Sequence, residues 1–407
     1  MPKIFPFRAY RYALSSRDLS RAVCPPYDVI GKDQAETLRE NPLNAIHIEL
    51  PEDAVETKYG NARRIWDQWK KEGAVRRDEM PAFYLYEQIF TVRGKKFSRK
   101  GFFCELEVEK PGAGSVLRHE LTLAGPKMDR LNLLKAMHLN TSPIFGLFDD
   151  PKGRVEKILR AAGDKPEVEF KDPEKVLHRM WRVTVTEKIQ ALTEALGKTP
   201  VLIADGHHRY ETAWNFHQET NLPGSERTLF FVCPMDDPGL IIFPTHRILL
   251  KEASLGQALA RVQSFGSIFK TVPLAFSASN TRAFSAGSGR LPFAVTDGKK
   301  AFAIHLKSLA ALRKALPETP SPLLRLPLFQ LHALLVPELQ KEDFAYVYDG
   351  AEALAMARDR DRVAFLVPAA SAQDLYQVVR AGALMPQKST YFYPKIITGL
   401  VFRSFDP

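Results

Sequence analysis

The stretch that most constrains this chain is "TPVLIADGHHRYETAWNFHQETN", from Thr199 to Asn221. Its apolar run is short and stops at Asp205-Gly206, so it reads as a buried strand. The residues from His207 onward read as a helix. A buried strand that feeds straight into a helix calls for a sheet with helices laid against it. Gly206 permits the sharp turn between the two. His207, His208 and Arg209 then fall in the first helical turn, where free N–H groups and the positive end of the helix dipole make an anion site. Arg209 adds a planar fork suited to phosphate oxygens. Asp205, at the carboxyl end of the strand, can bind magnesium or take a proton from a substrate hydroxyl. A plainer reading has Asp205 capping the helix and the histidines on the surface. Cations at a helix N-terminus oppose the dipole, however, and that argues for something negative nearby.

The rest of the chain mixes helices and strands in the same way. "NARRIWDQWKKEGAV" (Asn61–Val75) reads as an amphipathic helix with Ile65, Trp66 and Trp69 on one face and Gly73 at its end. "AFYLYEQIFTV" and "RKGFFCELEVE" alternate as a hairpin joined by "RGKK". A helix is expected from about Met128, then the strand "PIFGLF". Helix, strand ("HRMWRVTV") and helix ("EKIQALTEALGK") follow. "TLFFVCPMDDPGLIIFPTHRILL" supplies two strands around an Asp-Asp-Pro-Gly turn. From about residue 251 the chain reads as a second lobe, with a Ser/Ala/Gly-rich loop ("FSASNTRAFSAGSGR"), a hairpin ("PFAVTDGKKAFAIHL") and a Pro-rich connector. The expectation is a mixed α/β (α+β) fold with an N-terminal lobe over 1–250 and a C-terminal α/β lobe over 251–407.

Of the 407 residues, 57 are Lys or Arg and 47 Asp or Glu, a formal charge of +10 that favours anionic partners without choosing among them. The densest basic runs, "RGKKFSRK" and "DRDR", are short and read as solvated turns or helix faces. Cys24, Cys104 and Cys233 lie far apart in apolar settings, neither a disulfide framework nor a zinc set. The N-terminus interleaves charges and lacks the apolar core of a signal peptide, and no apolar run is long enough to span a bilayer. These features lead to an expected cytoplasmic location and no membrane partner.

Two further clusters carry chemistry. "RHELTLAGPKMDR" offers Arg118, His119, Glu120, Lys127 and Arg130 in a Gly-Pro-containing loop; its "HELT" fails as a zincin because the fifth position is Leu123. "GALMPQKSTYFYPK" nearly spells a P-loop, but Gln387 stands where glycine is required and "TYFYP" is strand-like where a helix is required. Lys388, Ser389 and Thr390 can still meet a phosphate through their side chains.

Taken in order, "CPPYDVI", "RHELT", "KMDR", "IADGHHRYETA", "PTHR" and "MPQKSTYFYPK" resemble the prokaryotic domain-of-unknown-function 1015 family over essentially the whole chain. The resemblance implies a ParB/sulfiredoxin-like core whose D-G-H-[HR]-R motif binds phosphates, among relatives that include free-serine kinases, some pyrophosphate-dependent. "LPLFQLHALL" departs from the pattern by lacking an acidic residue before the Leu-His pair, which leaves the role of His332 open.

The implied activity is phosphotransfer to the hydroxyl of a small metabolite, free L-serine, from pyrophosphate or a nucleotide. Asp205 or Glu120 serves as base or magnesium ligand, with His207 beside them. His207, His208 and Arg209 hold the donor, while Arg118, His119, Lys127 and Arg130 stand with it and Tyr27 and Asp28 line the rim. Lys388, Ser389 and Thr390 are expected to join the pocket containing Asp205 and His207. Two other classes remain: a ParB-like nucleotide-gated DNA-binding protein, and a phosphoserine or phosphomonoester phosphatase. Dispersed basic residues weigh against nucleic acid. The expected partners are therefore a small-molecule substrate and a phosphate donor, with self-association left open.

Overall fold

The computed structural model describes residues 1–407 except 53, 55–56, 121–123, 162–164, 276–292 and 406–407, and the backbone alone of 124–126. The Ser/Ala/Gly-rich loop lies outside the described residues. The fold is mixed α/β. The chain divides into two compact units, and neither is one continuous stretch: Met1–Arg118, Thr122–Leu240 and Pro394–Pro407 form the first, His119–Leu121 and Ile241–Tyr393 the second.

The first unit is built on a mixed sheet. Across it lie Val116–Leu117, Val201–Asp205, Ile144–Phe148, Arg227–Pro234, Lys95–Glu107, Phe83–Val92, Leu177–Val183 and Val168–Lys171, with Ile4–Phe5 pairing on Lys95–Glu107. Val201–Asp205 runs parallel to Val116–Leu117 and antiparallel to Ile144–Phe148. The long hairpin turns at Arg93 and Gly94, both at positive φ (52° and 78°), a two-residue geometry whose twist matches that of the strands it joins. Alternation sends Phe83, Leu85, Phe102, Cys104, Val201, Ile203, Phe230 and Val232 to one face, where Leu192, Leu196, Tyr210 and Ala213 from two helices cover them. Phe103, Phe145, Phe231 and Tyr86 cluster on the other face. A second core gathers Trp66 and Trp69 of the helix Lys58–Lys71 with Leu133, Met137 and Phe402.

One sequence expectation changes here and another gains detail. The helix expected from about Met128 starts at Ala124. The Asp-Asp-Pro-Gly turn is flanked by two strands as expected, but they do not pair with each other: Arg227–Pro234 belongs to the large sheet, whereas Ile241–Phe243 pairs with Tyr391–Tyr393 in the second unit, and His246–Leu249 is a third strand. The turn packs on the hairpin instead. A Cβ at Gly239 would lie 2.3 Å from the Ser98 carbonyl, and Asp237 accepts from the Lys100 and Gly239 amides.

The second unit holds a six-stranded antiparallel sheet in the order Phe269–Leu274, Ala301–Leu306, Phe293–Thr296, Ala364–Leu366, His246–Leu249, Phe344–Val347. Leu312, Leu324, Leu328, Leu331 and Leu335 pack over Phe269, Phe293, Val295 and Ile304 to form its core. Among the described residues no helix is long and apolar enough to cross a membrane.

Candidate functional site

The strand ending in Asp205 shifts register by a residue against Ile144–Phe148 between Ile203 and Asp205, an irregularity that re-aims its end. Gly206 then adopts φ +88°, open to glycine and strained for other residues, and the helix His207–Thr220 starts there without a side-chain cap. The Asp205 carboxylate has other partners. It receives Lys395 Nζ at 3.3 Å and Arg209 Nη2 at 3.4 Å. Burial pushes its carboxyl upward, but Lys395, Arg209 and His207 more than reverse that and leave it at about 2. Asp205 is therefore firmly ionised. Arg209 also donates to the Ser142 hydroxyl at 3.2 Å and to the Pro143 carbonyl, while its Nε is buried with no partner among the described residues.

Lys395 was not foreseen as Asp205's partner, since 190 residues separate them. Its place is fixed by the hairpin. Arg99 Nη2 donates to the Pro394 carbonyl at 2.5 Å and to Gln88 Oε1, and Gln88 Nε2 donates to the Lys395 carbonyl at 3.0 Å. Arg99 lies in "RGKKFSRK", read from the sequence as a solvated run, yet it is wholly buried with its guanidinium 5.0 Å from the Phe145 ring centroid. The strand's alternation explains this: Arg99 shares a face with Gly101 and Phe103, against the aromatic layer. Burial lowers its pKa from the usual guanidinium range.

The cations that looked uncompensated in the sequence have carboxylates. Arg118 Nη1 and Lys127 Nζ take the two oxygens of Glu211 at 2.9 and 2.7 Å. Glu211 lies one helical turn beyond His207, and Arg118, His207 and Glu211 line one small pocket. Arg130 donates to Asp129 and, at 2.6 Å, to the Glu49 carbonyl, and its guanidinium stands 4.2 Å from the Tyr27 ring centroid. Asp129 also holds Lys58 and Tyr59; burial raises its carboxyl, and these partners with Arg130 bring it down to about 2. Arg130, Arg209, Thr141 and Ser142 line a cavity of about 40 Å³. The buried Glu49 carboxylate accepts from both hydroxyls, at 2.5 and 3.0 Å. Burial and the charge of Asp28 push the Tyr27 hydroxyl up to about 12, with Arg209 and Arg130 opposing. Asp28 is exposed and His208 half-buried.

His119, Glu120, Lys388, Ser389, Thr390 and His332 belong to the second unit. There Met385 N donates to the His119 carbonyl at 2.7 Å, Glu120 bridges to Met385, and His119 Nε2 lies 3.2 Å from Thr390 Oγ1. The "PTHR" motif explains the turn that follows Met385. Buried Arg247 donates through Nη2 to the Gln387 and Lys388 carbonyls at 3.1 and 3.0 Å. These bonds pin the turn while Lys388 sits at φ 55°, a left-handed conformation rare for a lysine. Ser389 Oγ donates to the Pro386 carbonyl. His332 has a structural partner: its Nε2 accepts from Arg247 Nε at 3.2 Å. Burial and the Arg247 charge hold this imidazole down at about 3, in the neutral form that can accept.

The family described as "Protein of unknown function (DUF1015)" matches residues 4–378. The chain belongs to that family. Comparison with curated proteins gives no match. Among solved structures, a conserved hypothetical protein from Pyrococcus furiosus is similar at 15% identity and TM-score 0.34, covering 70% of this chain and 92% of its own. A free serine kinase in complex with AMP is similar at 14% identity and TM-score 0.35, covering 70% and 89%. SbnI with a C-terminal truncation, from Staphylococcus aureus, is similar at 11% and 0.39, covering 72% and 85%. Likeness at this level assigns no residue of this DUF1015 chain a role. Its own contacts must do that.

Proposed function

We propose that the protein is a phosphotransferase acting on the hydroxyl of a small metabolite. The motif resemblance points to free L-serine as acceptor, giving O-phospho-L-serine, with pyrophosphate or a nucleotide as donor. The observation that carries this reading is the Asp205 centre: an ionised carboxylate at a strand's carboxyl end, gripped by Lys395 and Arg209, where a helix N-terminus begins.

The geometry favours particular roles. A carboxylate held at about 2 has little affinity for a proton at neutral pH, so Asp205 acts as a charge anchor that keeps Lys395 and Arg209 in place. His207, buried in the same unit at the first position of that helix, is the proton acceptor in this scheme. The acceptor oxygen attacks the terminal phosphorus, the bond to the leaving phosphate breaks, and the hydroxyl proton passes to His207. Arg118 and Lys127, both partly exposed, can move from Glu211 to donor oxygens as charge builds. Among the described residues no group of three His, Cys, Asp or Glu side chains could hold a metal. Magnesium in this scheme comes with the donor phosphates, since both Asp205 oxygens are engaged by Lys395 and Arg209.

The DNA-binding alternative needs a reader helix after the D-G-H-H-R helix. Instead the chain enters Arg227–Pro234, a buried strand paired on both sides. The test is mass spectrometry of serine incubated with pyrophosphate, ATP or ADP in turn. Phosphoserine with at least one donor is expected. Its absence with every donor, in both reaction directions, refutes the proposal.

A further inference from the structure

A sizeable cavity in the first unit lies away from Asp205. It measures about 760 Å³, within the range of sites that take a nucleotide-sized ligand. Its walls come from the paired strands Tyr10–Tyr12 and Val75–Arg77 and from the end of Leu177–Val183. Leu177–Val183 is five strand steps across the sheet from Val201–Asp205, roughly 24 Å at about 4.8 Å per step. This is a separate place on the unit.

Its chemistry is lopsided. Four guanidiniums, Arg11, Arg76, Arg77 and Arg182, line it against the carboxylates of Asp78, Glu79 and Glu167. Two of those acids are already saturated. Asp78 accepts from Arg11 Nε and Nη2 at 2.8 and 2.7 Å, from the Tyr84 hydroxyl at 2.8 Å and from Arg182 Nη1 at 3.4 Å. Glu167 takes Arg182 Nε at 2.8 Å and lies 3.6 Å from Arg11 Nη2. The alternating Arg11–Asp78–Arg182–Glu167 ring fixes two forks at the wall and leaves Arg11 Nη1 and Arg182 Nη2 undonated among the described residues. Arg76 is exposed and has no ion pair among the described residues. A cation entering here would find Asp78 and Glu167 already engaged by arginine and only the exposed Glu79 to receive it. A multiply charged anion would find free guanidinium donors from more than one strand.

We infer that this cleft binds a small phosphate-bearing polyanion at a site distinct from the Asp205 centre. Guanidinium forks match the oxygens of a phosphoryl group two at a time, and several such groups in one ligand can engage Arg76 together with Arg11 and Arg182. The inference does not depend on the phosphotransfer reading, and its readout lies in other segments.

The test is titration of the full chain with inorganic tripolyphosphate, followed by calorimetry and by hydrogen exchange. Binding should slow exchange in residues 10–12 and 75–77. Arg76→Glu should weaken that event at least tenfold and abolish the local protection, with any event at residues 201–209 retained; Arg76→Ala serves if the charge reversal fails to fold. Citrate, a polyanion without phosphoryl groups, should bind more weakly. Unchanged exchange in residues 10–12 and 75–77 would overturn the site. So would equal affinity in the Arg76 variants. Citrate binding as tight as tripolyphosphate would overturn the phosphoryl assignment.

Discussion

Replacing Asp205 by Asn removes a charge that Lys395 and Arg209 share. A capping role would make that loss worth about 1 kcal/mol. The contacts imply more. The carboxyl sits at about 2 against an ordinary 3.8, which is on the order of 2 kcal/mol of native-state stability. Because the folded-state value is depressed, that stability is present in full above about pH 4 and fades as pH falls toward 2. Urea denaturation at pH 7 should therefore find D205N destabilised by about 2 kcal/mol, since two half-buried cations lose a counter-charge. The gap to wild type should narrow below pH 4. In a double-mutant cycle with Lys395→Met, the second substitution should cost much less once Asp205 is neutral, a coupling of at least about 1 kcal/mol. Additivity within about 0.4 kcal/mol, or a pH-independent gap, would refute the pairing on which the site is built.

Glu211→Gln should release Arg118 and Lys127 for the donor and tighten pyrophosphate binding severalfold by calorimetry; equal or weaker binding contradicts their proposed role. Asp237, which burial pushes up to about 6, is costly to ionise, so wild-type stability should fall as pH rises from about 4 to 6. Thermal melts of Asp237→Asn should therefore gain on wild type across that interval, by roughly 3 kcal/mol at most, and a constant difference would count against this. Lys388→Gly should leave stability unchanged or raise it by up to about 1 kcal/mol, because φ 55° suits glycine; a clear loss would show that the lysine side chain is needed for the turn.

The strand–helix switch at Asp205-Gly206 was legible because its signals are local: a short apolar run, a glycine, then a helical pattern. The long hairpin was legible for the same reason, with strict alternation on both sides of Arg93-Gly94. What the sequence hid was pairing at a distance. Lys395 closes on Asp205 only because residues 394–407 return to the first unit, and nothing in "FYPK" announces that. Arg99 looked like one more cation in a basic run until the register turned it inward. Glu211 and Asp129 read as helix body, yet they neutralise Arg118, Lys127 and Arg130, so the positive charge near the helix N-terminus is balanced. The Asp-Asp-Pro-Gly turn and its two strands were legible, but their pairing was not, for a related reason: a turn signal marks where the chain bends, and the partner of each flanking strand lies elsewhere.

The central claim is that the Asp205 centre transfers a phosphoryl group to a hydroxyl acceptor. Phosphorus NMR of wild type and Asp205→Asn, followed side by side with serine and whichever donor supports turnover, tests it most directly. The account predicts a growing phosphoserine resonance for wild type and none for the variant, with donor consumption dependent on serine. Phosphoserine formed at the same rate by both proteins, or donor converted to phosphate regardless of serine, would contradict it.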